Sequence, residues 1–262
     1  MSSLQWDHTV HYINDLEQAV QTFTDNGLAA FPGGSHKLWG THNALSYFGL
    51  NYVEFLAVEN RDLAESADTA NLVVKDAVKL LPEHEGFSRV AIRTDNIEQT
   101  ASLLNQQGLK LSPVMDGRRL NRQGQWIEWR MLTIGGHFQG LVYPFVIQWK
   151  GTDEQRQQEL KTAGIIRPHP AGAVEVRAAV FSVPDPVATA AHWSRILGLP
   201  VRNAGPWDGN SVSLAIGDKA FVFRQGTGEQ MQELLLATDA PGLAGRTIRF
   251  GQADYVFTGI AT

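Results

Sequence analysis

Apolar and polar positions alternate in a pattern that recurs along the chain at a constant spacing. The segment from His8 reads HTVHYINDLEQAVQTFTDNGL, and the segment from Arg89 reads RVAIRTDNIEQTASLLNQQGL. They superpose with Ile97 over Leu16, an offset of 81 residues (97 − 16 = 81). Each copy predicts a short strand, a polar turn, an amphipathic helix of about three turns and a closing Gly-Leu pair, because glycine suits the left-handed position after a helix.

Further copies of this pattern occupy the C-terminal part of the chain. A third begins near Ala178, and a fourth near Glu233 has room for only a stub of helix because of Pro241. Strand-like sequence follows each helix. We therefore predict an α+β fold of repeated βαβββ units. The expected starts are His8, Arg89 and Ala178 for the strands and Leu16, Ile97 and Pro186 for the helices.

Residues 151–172 differ in composition from the repeats on either side. They read as a helical spacer followed by a proline-rich loop, RPHPAG. The predicted organisation is an N-terminal lobe of two units over 4–150, the spacer over 151–172, and a C-terminal lobe over 173–262 with one unit and a truncated one. One continuous domain with a long surface loop is the alternative.

Composition narrows the classes of protein and partner. The chain has 262 residues, 43% of them hydrophobic, a net charge of −5 and no cysteine. This excludes a disordered chain, disulfides, thiolate metal sites and a cysteine nucleophile. The acidic balance argues against a nucleic-acid partner. With no basic, apolar leader and no apolar run long enough for a bilayer, we expect a cytoplasmic protein without a membrane partner.

Two strand motifs add a family resemblance to the repeat. One strand opens with Asp7-His8, and a later one carries Tyr52-Val53-Glu54-Phe55. The chain resembles the vicinal oxygen chelate superfamily of glyoxalase I, extradiol dioxygenases and bleomycin-resistance proteins. Within it, the segments GGSHKLWGTHNALSYFG (33–49) and PFVIQW (144–149) look like bacterial glyoxalase-like domain proteins. The resemblance implies units paired into half-open, mixed-sheet barrels around a cavity with a divalent metal.

The resemblance also implies ligand positions on the first and last strand of each unit. His8 and Glu54 fill both positions of the first unit and become the candidate catalytic residues and metal ligands. In the second unit Arg89 stands over His8, and a guanidinium has no lone pair to offer. The last strand there offers Ile147 or Gln148, whose amide oxygen is a weak ligand. We expect no cofactor or a weakly bound divalent metal.

Two further histidines fall in the second and third strands of the first unit. His42 shares one strand face with Ala44 and Ser46, so it could approach His8 if that face lines the cavity. His36 is the other extra imidazole. The alternative for both is a polar side chain satisfied by ordinary hydrogen bonds.

Strand alternation predicts which charged side chains line the cavity. Arg89 and Arg93 share the face of His8 and are expected to converge on it and Glu54, as an internal ion pair or as an anion site. A second predicted wall is the polar face of strand 125–134, unless that face is simply exposed. Trp39, in a glycine-rich loop, could close the mouth. The candidate ligand-binding residues are His42, Arg89, Arg93, Glu128, Arg130, Gln148 and Trp39.

Three functions remain open from the sequence. The first is a lyase, isomerase or dioxygenase-like enzyme, in which a glutamate with a raised pKa moves a proton next to a carbonyl of a small, oxygenated, anionic molecule. The second is a resistance-type protein that binds such a molecule without turnover. The third is a structural or partner-binding protein. The C-terminal lobe is expected to be structural, a lid or an element of a homodimer.

Overall fold

The first two repeats build one curved sheet. The computed structural model describes residues 4–66, 70–120, 124, 126–202, 211–228 and 230–260. The first unit comprises β1 (Gln5–Tyr12), α1 (Leu16–Asp25), β2 (Phe31–His36), β3 (Thr41–Phe48) and β4 (Asn51–Val58). Two helices that the repeat did not predict follow, α2 (Arg61–Ser66) and α3 (Leu72–Leu80).

The second unit repeats this order with extra short strands. It comprises β5 (Gly86–Arg93), α4 (Ile97–Gln106), β6 (Lys110–Leu111), β7 (Met115–Leu120), β8 (Trp126–Leu132), β9 (Ile134–Gly135), β10 (His137–Phe138), β11 (Leu141–Val142) and β12 (Phe145–Trp149). Helix α5 (Asp153–Thr162) then lies within the predicted spacer.

The C-terminal part holds the remaining elements. They are β13 (Val174–Val183), α6 (Pro186–Leu197), β14 (Val201–Arg202), β15 (Ser211–Ile216), β16 (Lys219–Gln225), β17 (Gln230–Thr238), β18 (Thr247–Phe250) and β19 (Ala253–Gly259). A turn at residues 240–245 stands in place of the helical stub that the fourth repeat predicted. Among the described residues, no helix has the length and apolar character needed to cross a membrane.

The three repeat helices begin where the sequence predicted because each has a local capping residue. Asp15, Asn96 and Asp185 precede α1, α4 and α6, and their side chains accept hydrogen bonds from backbone N–H groups of the first turn. These contacts satisfy donors that a helix leaves unpaired at its N-terminus. The repeat is therefore marked by its helix starts as well as by its apolar positions.

Sheet topology confirms the prediction of paired βαβββ units in a mixed, half-open barrel. The first sheet has the order β2-β3-β4-β1-β5-β12-β8-β7, with β1 and β5 antiparallel at its centre and β4 and β12 parallel to them. Its edge strands approach each other, and Arg119 Nη1 of β7 donates to Gly33 O of β2 at 3.3 Å. A second sheet has the order β14-β15-β16-β13-β17-β19-β18.

The two faces of the first sheet have different neighbours. One face joins the helices and the second sheet in the main apolar core, where the Trp6 and Phe221 rings lie 5.4 Å apart. The concave face carries a separate apolar cluster that includes Val10, Ala91 and Phe145. Burial of both faces explains why these central strands are apolar along most of their length. The concave face is the one that encloses a cavity.

Candidate functional site

A small, partly open cavity lies on the concave face of the first sheet. Helix α3 contributes to one side of it through Val73 and Val74, and Trp39 lines it as the sequence suggested. Most of its wall is apolar or aromatic. The polar side chains that line it are His8, His36, Thr41, Asn43, Tyr52, Glu54, Asn71, Arg119 and the indoles of Trp39, Trp129 and Trp149.

His8 and Glu54 meet in this cavity, as predicted. Parallel pairing sets Glu54 of β4 beside Val10 of β1, and His8 Nε2 lies 3.4 Å from Glu54 Oε2. The imidazole stacks on Tyr52 with ring centroids 4.4 Å apart. Both residues are almost fully buried, at 2% exposure for His8 and 9% for Glu54. The pair is therefore shielded from bulk water but accessible from the cavity.

Asp7 forms a hydrogen bond with the other ring nitrogen of His8. Neighbouring side chains on a strand normally point to opposite faces, but the β1–β5 register shifts between Trp6 and His8, and such a bulge re-aims a side chain. Asp7 Oδ1 consequently accepts from His8 Nδ1 at 2.7 Å. Burial opposes ionisation of Asp7, but the charge of Arg156 and the contacts with His8 outweigh it and hold the pKa of Asp7 at about 2.

The charge of the His8–Glu54 pair follows from these contacts. Burial opposes ionisation of Glu54, yet the hydrogen bond and charge of His8 outweigh it and hold the Glu54 pKa at about 2. Burial also opposes protonation of His8, but its hydrogen bonds with Asp7 and Glu54 raise the His8 pKa above the ordinary value. The sequence-based expectation of a raised glutamate pKa is therefore wrong, because it omitted the neighbouring imidazolium.

A second imidazole, His36, faces the same carboxylate. Its Nε2 lies 4.0 Å from Glu54 Oε1, and its Nδ1 is 3.0 Å from Thr41 Oγ1. Burial lowers the pKa of His36 to about 4, so the ring is neutral at physiological pH. The sequence placed His36 in the second strand of the first unit and left open whether it faces the cavity. His36 of β2 pairs with Thr41 of β3, and both side chains line the cavity.

Asn43 fixes the other oxygen of Glu54. Asn43 Nδ2 donates to Glu54 Oε1 at 2.6 Å, and Asn43 Oδ1 accepts from Gly34 N at 3.0 Å. Gly33 provides the space, because a Cβ there would fall 2.2 Å from Asn43 Oδ1. The Gly-Gly pair that the sequence placed in a loop over the mouth is part of strand β2 and serves the amide that orients the carboxylate.

His42 lies on the opposite face of the same strand. Thr41, Asn43 and Leu45 line the cavity, so alternation turns His42 away from it. The condition on which His42 could approach His8 is therefore not met. Asn43 is one of the residues that the sequence did not predict, and considering both faces of β3 would have identified it.

The predicted convergence of Arg89 and Arg93 on His8 is wrong. Arg89 Nε donates to Asp76 at 2.7 Å, and its Nη1 donates to two backbone carbonyls at 3.1 and 2.8 Å. Arg93 donates to both oxygens of Asp153 at 2.8 and 2.9 Å and to the Trp6 carbonyl at 2.6 Å.

Both arginines are displaced by partners that the repeat does not contain. Asp76 lies on α3 and Asp153 on α5, and Ala91, between the two arginines in β5, is the residue that pairs with His8. A buried guanidinium is stable only with such partners. Of the described side chains that line the cavity, Arg119 is the one guanidinium.

The predicted polar wall also lies outside the cavity. Trp129 and Met131 of β8 line it, whereas Glu128, Arg130 and Gln148 border a separate surface groove. Arg130 pairs with Glu98 on α4. Gln148 Oε1 accepts from Ile97 N at 3.0 Å, and its Nε2 donates to Asp95 O at 2.8 Å, so this amide braces the start of α4.

Repeat register shows what replaces Glu54 in the second unit. Val10 and Ala91 are equivalent at the offset of 81 (91 − 10 = 81), Val10 pairs with Glu54, and Ala91 pairs with Phe145. Phe145, rather than Ile147 or Gln148, is therefore the counterpart of Glu54. The second unit supplies an arginine and a phenylalanine where the resemblance implies two metal ligands.

The donor set does not fit the metal centre that the resemblance implies. Within the described part of the chain, no group of three or more histidine, aspartate or glutamate side chains is arranged to hold a metal ion. His8 and His36 both face Glu54, but the second unit adds no ligand to them, and a catalytic metal usually has three protein ligands in an open geometry.

Comparison with protein families identifies the fold. The family model described as glyoxalase-like domain matches residues 6–197, which include both units of the first sheet, α5 and α6. The chain belongs to the glyoxalase-like domain family. No curated protein matches it. The matched range extends beyond the residues on which the sequence resemblance rested, because it includes the segment after residue 150.

Solved structures share this fold at low identity. A hypothetical protein from Staphylococcus aureus is 21% identical, with a TM-score of 0.84 over 98% of this chain and 100% of that one. The Mn(II)-bound glyoxalase from Novosphingobium aromaticivorans is 10% identical, with a TM-score of 0.57 over 99% and 83%. A mutant 4-hydroxymandelate synthase from Streptomyces coelicolor is 13% identical, with a TM-score of 0.55 over 91% and 72%. The likeness supports the fold.

Proposed function

We propose that the glyoxalase-like cavity binds a small oxygenated molecule and that His8 and Glu54 move a proton on it. The observation that carries this proposal is the buried contact of 3.4 Å between His8 Nε2 and Glu54 Oε2, open to a mostly apolar and aromatic cavity. A buried acid and base in one small pocket is the arrangement that proton transfer requires. The reaction class is an isomerase or lyase type.

The two groups have complementary roles in this proposal. Protonated His8 donates from Nε2 to an oxygen of the ligand, and Asp7 stabilises the imidazolium through Nδ1. Glu54 removes a proton from the neighbouring carbon and returns it to the next one, after which His8 recovers its own proton. Asn43 keeps one Glu54 oxygen fixed, so the other faces His8 and the ligand.

Ligand entry adjusts the basicity of the carboxylate. Among the interactions that lower the pKa of Glu54, the hydrogen bond from His8 is the largest. A ligand oxygen that takes over the His8 donor removes this hydrogen bond, and burial then raises the Glu54 pKa. Glu54 becomes a stronger base only when the cavity is occupied.

The cavity wall defines the kind of ligand. Trp39, Trp129 and Trp149 form a series in which neighbouring ring centroids lie 6.1 and 5.8 Å apart, which suits a flat or apolar body. With Arg89 and Arg93 engaged elsewhere, an anionic group on the ligand would pair with Arg119. The proposed ligand is therefore a small carboxylate or dicarbonyl compound with an apolar part.

Binding without turnover is the second candidate. The observation that favours it is the low pKa of Glu54, about 2, which makes the carboxylate a weak base as long as His8 stays beside it. If the ligand leaves the His8–Glu54 contact intact, the same cavity sequesters the compound unchanged.

A two-stage experiment tests the proposal and separates the candidates. A thermal-shift screen of small carboxylates and dicarbonyls is run on the wild type and on Trp129→Ala, which opens the cavity wall. Each compound that stabilises only the wild type is then incubated in D₂O with wild type, His8→Gln and Glu54→Gln. Deuterium uptake next to the carbonyl with the wild type alone supports acid–base chemistry. Binding without uptake supports sequestration, and no cavity-dependent binding contradicts both.

Other features of the expected function are proposals of the same kind. They are lyase chemistry, a homodimer, a cytoplasmic location and weak binding of a divalent metal. Size-exclusion chromatography with light scattering tests the dimer directly.

A further inference from the structure

Helix α5 contacts the first sheet through two ion pairs and one apolar side chain. Its sequence, DEQRQQELKT, is polar apart from Leu160, which packs against the cluster of Leu45, Tyr47 and Tyr52, and Arg156 is its one buried residue. Helices of this kind depend on contacts other than a hydrophobic stripe. Asp153 forms an ion pair with Arg93, and Arg156 forms an ion pair with Asp7. The spacer helix is thereby tied to the central strands at two points.

Arg156 contacts two parts of the site without lining the cavity. Its Nη1 donates to Asp7 Oδ2 at 3.2 Å, and its guanidinium lies 4.3 Å from the ring centroid of Trp149. Trp149 Nε1 donates to the same Asp7 oxygen at 2.9 Å. Arg156 is 8% exposed and Asp7 is fully buried. The carboxylate is therefore fixed through Oδ2, which leaves Oδ1 for His8.

The contacts form a continuous series from the spacer helix to the cavity. Arg156 and Trp149 hold Asp7, Asp7 Oδ1 holds His8 Nδ1 at 2.7 Å, and His8 Nε2 faces Glu54. We propose that Arg156 is a positioning residue, which fixes Asp7 so that the His8 ring presents Nε2 to Glu54 and the cavity. This role of Arg156 rests on the proposed function in one respect: the proposed function makes the orientation of the His8 ring important.

A purely structural role for Arg156 makes a different prediction. If Arg156 only docks α5, its loss lowers stability without a specific change at His8. Arg89 provides the matched control, because it is also a buried arginine, has a carboxylate partner in Asp76 and lies on β5 of the sheet that carries Asp7 and His8. Arg89 is absent from the cavity lining and touches neither Asp7 nor His8 among its described contacts.

The test is NMR of the full chain with ¹⁵N-labelled histidine and no ligand. The His8 Nδ1–H resonance, assigned by its disappearance in His8→Gln, is expected downfield and protected from solvent exchange because it donates to buried Asp7. Arg156→Met should lose or strongly broaden this resonance, Arg156→Lys should restore most of its protection, and Arg89→Met should leave it unchanged. In an Asp7→Asn background, Arg156→Met should add no further change.

Two results would overturn the inference. One is a His8 Nδ1–H resonance in Arg156→Met with wild-type shift and protection. The other is an equal loss in Arg89→Met, which would show general loosening of the sheet. If Arg156→Met does not fold, Arg156→Gln replaces it and is judged by the same two results. Because the measurement needs no ligand, it can fail or succeed independently of the ligand screen.

Discussion

Gly33 lies against the amide of Asn43 so closely that the strand has no room for a side chain at that position. A Cβ on Gly33 would fall 2.2 Å from Asn43 Oδ1 and 3.1 Å from Asn43 Cγ. The amide in turn donates to Glu54 at 2.6 Å. A residue on the edge strand β2 thus determines whether the carboxylate in the cavity keeps its orientation.

Gly33→Ala is expected to destabilise the protein and to release Glu54 from its amide partner. Crowding of a packed site costs about 1–3 kcal/mol of the free energy of unfolding, because neighbours must shift. Urea denaturation measures this loss. Gly242→Ala is the control, since a Cβ there meets nothing within 4 Å and that backbone is not in the left-handed region. Equal stability of the two variants would contradict the role of Gly33.

Glu54→Gln should weaken the fold most at neutral pH and least in acid. Removing one partner of a buried pair costs about 3–5 kcal/mol. The folded pKa of Glu54, about 2, lies below the unfolded value of 4.5, so its stabilisation is present above pH 4.5 and is lost as the pH falls toward 2. The difference in unfolding free energy between wild type and Glu54→Gln should shrink over that interval. Glu83→Gln, at an exposed turn position without a described side-chain contact, is the control, and a difference independent of pH would contradict the charged pair.

His8 is expected to change how the free energy of unfolding depends on pH in the alkaline range. Its folded pKa is raised above 6.5, so its stabilisation is complete below pH 6.5 and is lost as the pH rises through the folded value. In His8→Gln the alkaline fall in unfolding free energy should be smaller than in the wild type. Buried His36 has the opposite sign, since its pKa is lowered to about 4, and His36→Gln should leave the alkaline limb unchanged.

Arg89→Ala should reduce stability and leave cavity binding intact. The substitution removes a buried guanidinium from Asp76 and from two carbonyls, a loss on the order of 3 kcal/mol. Any carboxylate that binds the folded wild type should bind the folded variant with the same affinity. Arg119→Ala is the comparison, because Arg119 lines the cavity. Weaker binding in Arg89→Ala alone would restore the original prediction of an arginine pocket.

Purified protein is expected to retain little divalent metal. After dialysis against a weak chelator, elemental analysis should give well under one equivalent of zinc, iron, nickel or manganese, because the second unit presents Arg89 and Phe145 at the ligand positions. His8→Ala serves as the reference for non-specific metal. Near-stoichiometric metal in the wild type that disappears in His8→Ala would overturn the expectation.

Local signals in the sequence were sufficient for much of the fold. Helix starts at Leu16, Ile97 and Pro186 were predictable because the capping residues are adjacent in the chain. The contact of His8 with Glu54 followed from the family register. These predictions rest on residues that are close together in the chain or on the repeat. They therefore need no information about long-range contacts in the fold.

Long-range contacts account for what the sequence did not predict. The bulge at Asp7 is visible only in the pairing of β1 with β5, and Arg156 reaches Asp7 from 149 residues away. One face of β8 lines the cavity and the other borders a surface groove, and alternation alone does not show whether Trp129 or Glu128 is the cavity residue. Charged side chains were assigned to the wrong places because their partners lie outside the repeat.

Because Phe145 takes the place of Glu54 in the second unit, the two sides of the cavity differ in chemistry. A sheet made of two similar halves would offer a ligand two equivalent orientations, but here one half carries His8 and Glu54 and the other carries a phenylalanine ring. On the proposed function, a bound molecule places its oxygenated end toward β1 and β4 and its apolar end toward β5 and β12. The proposed reaction then uses one half of the duplicated architecture, so a symmetric ligand would react at only one of its two ends.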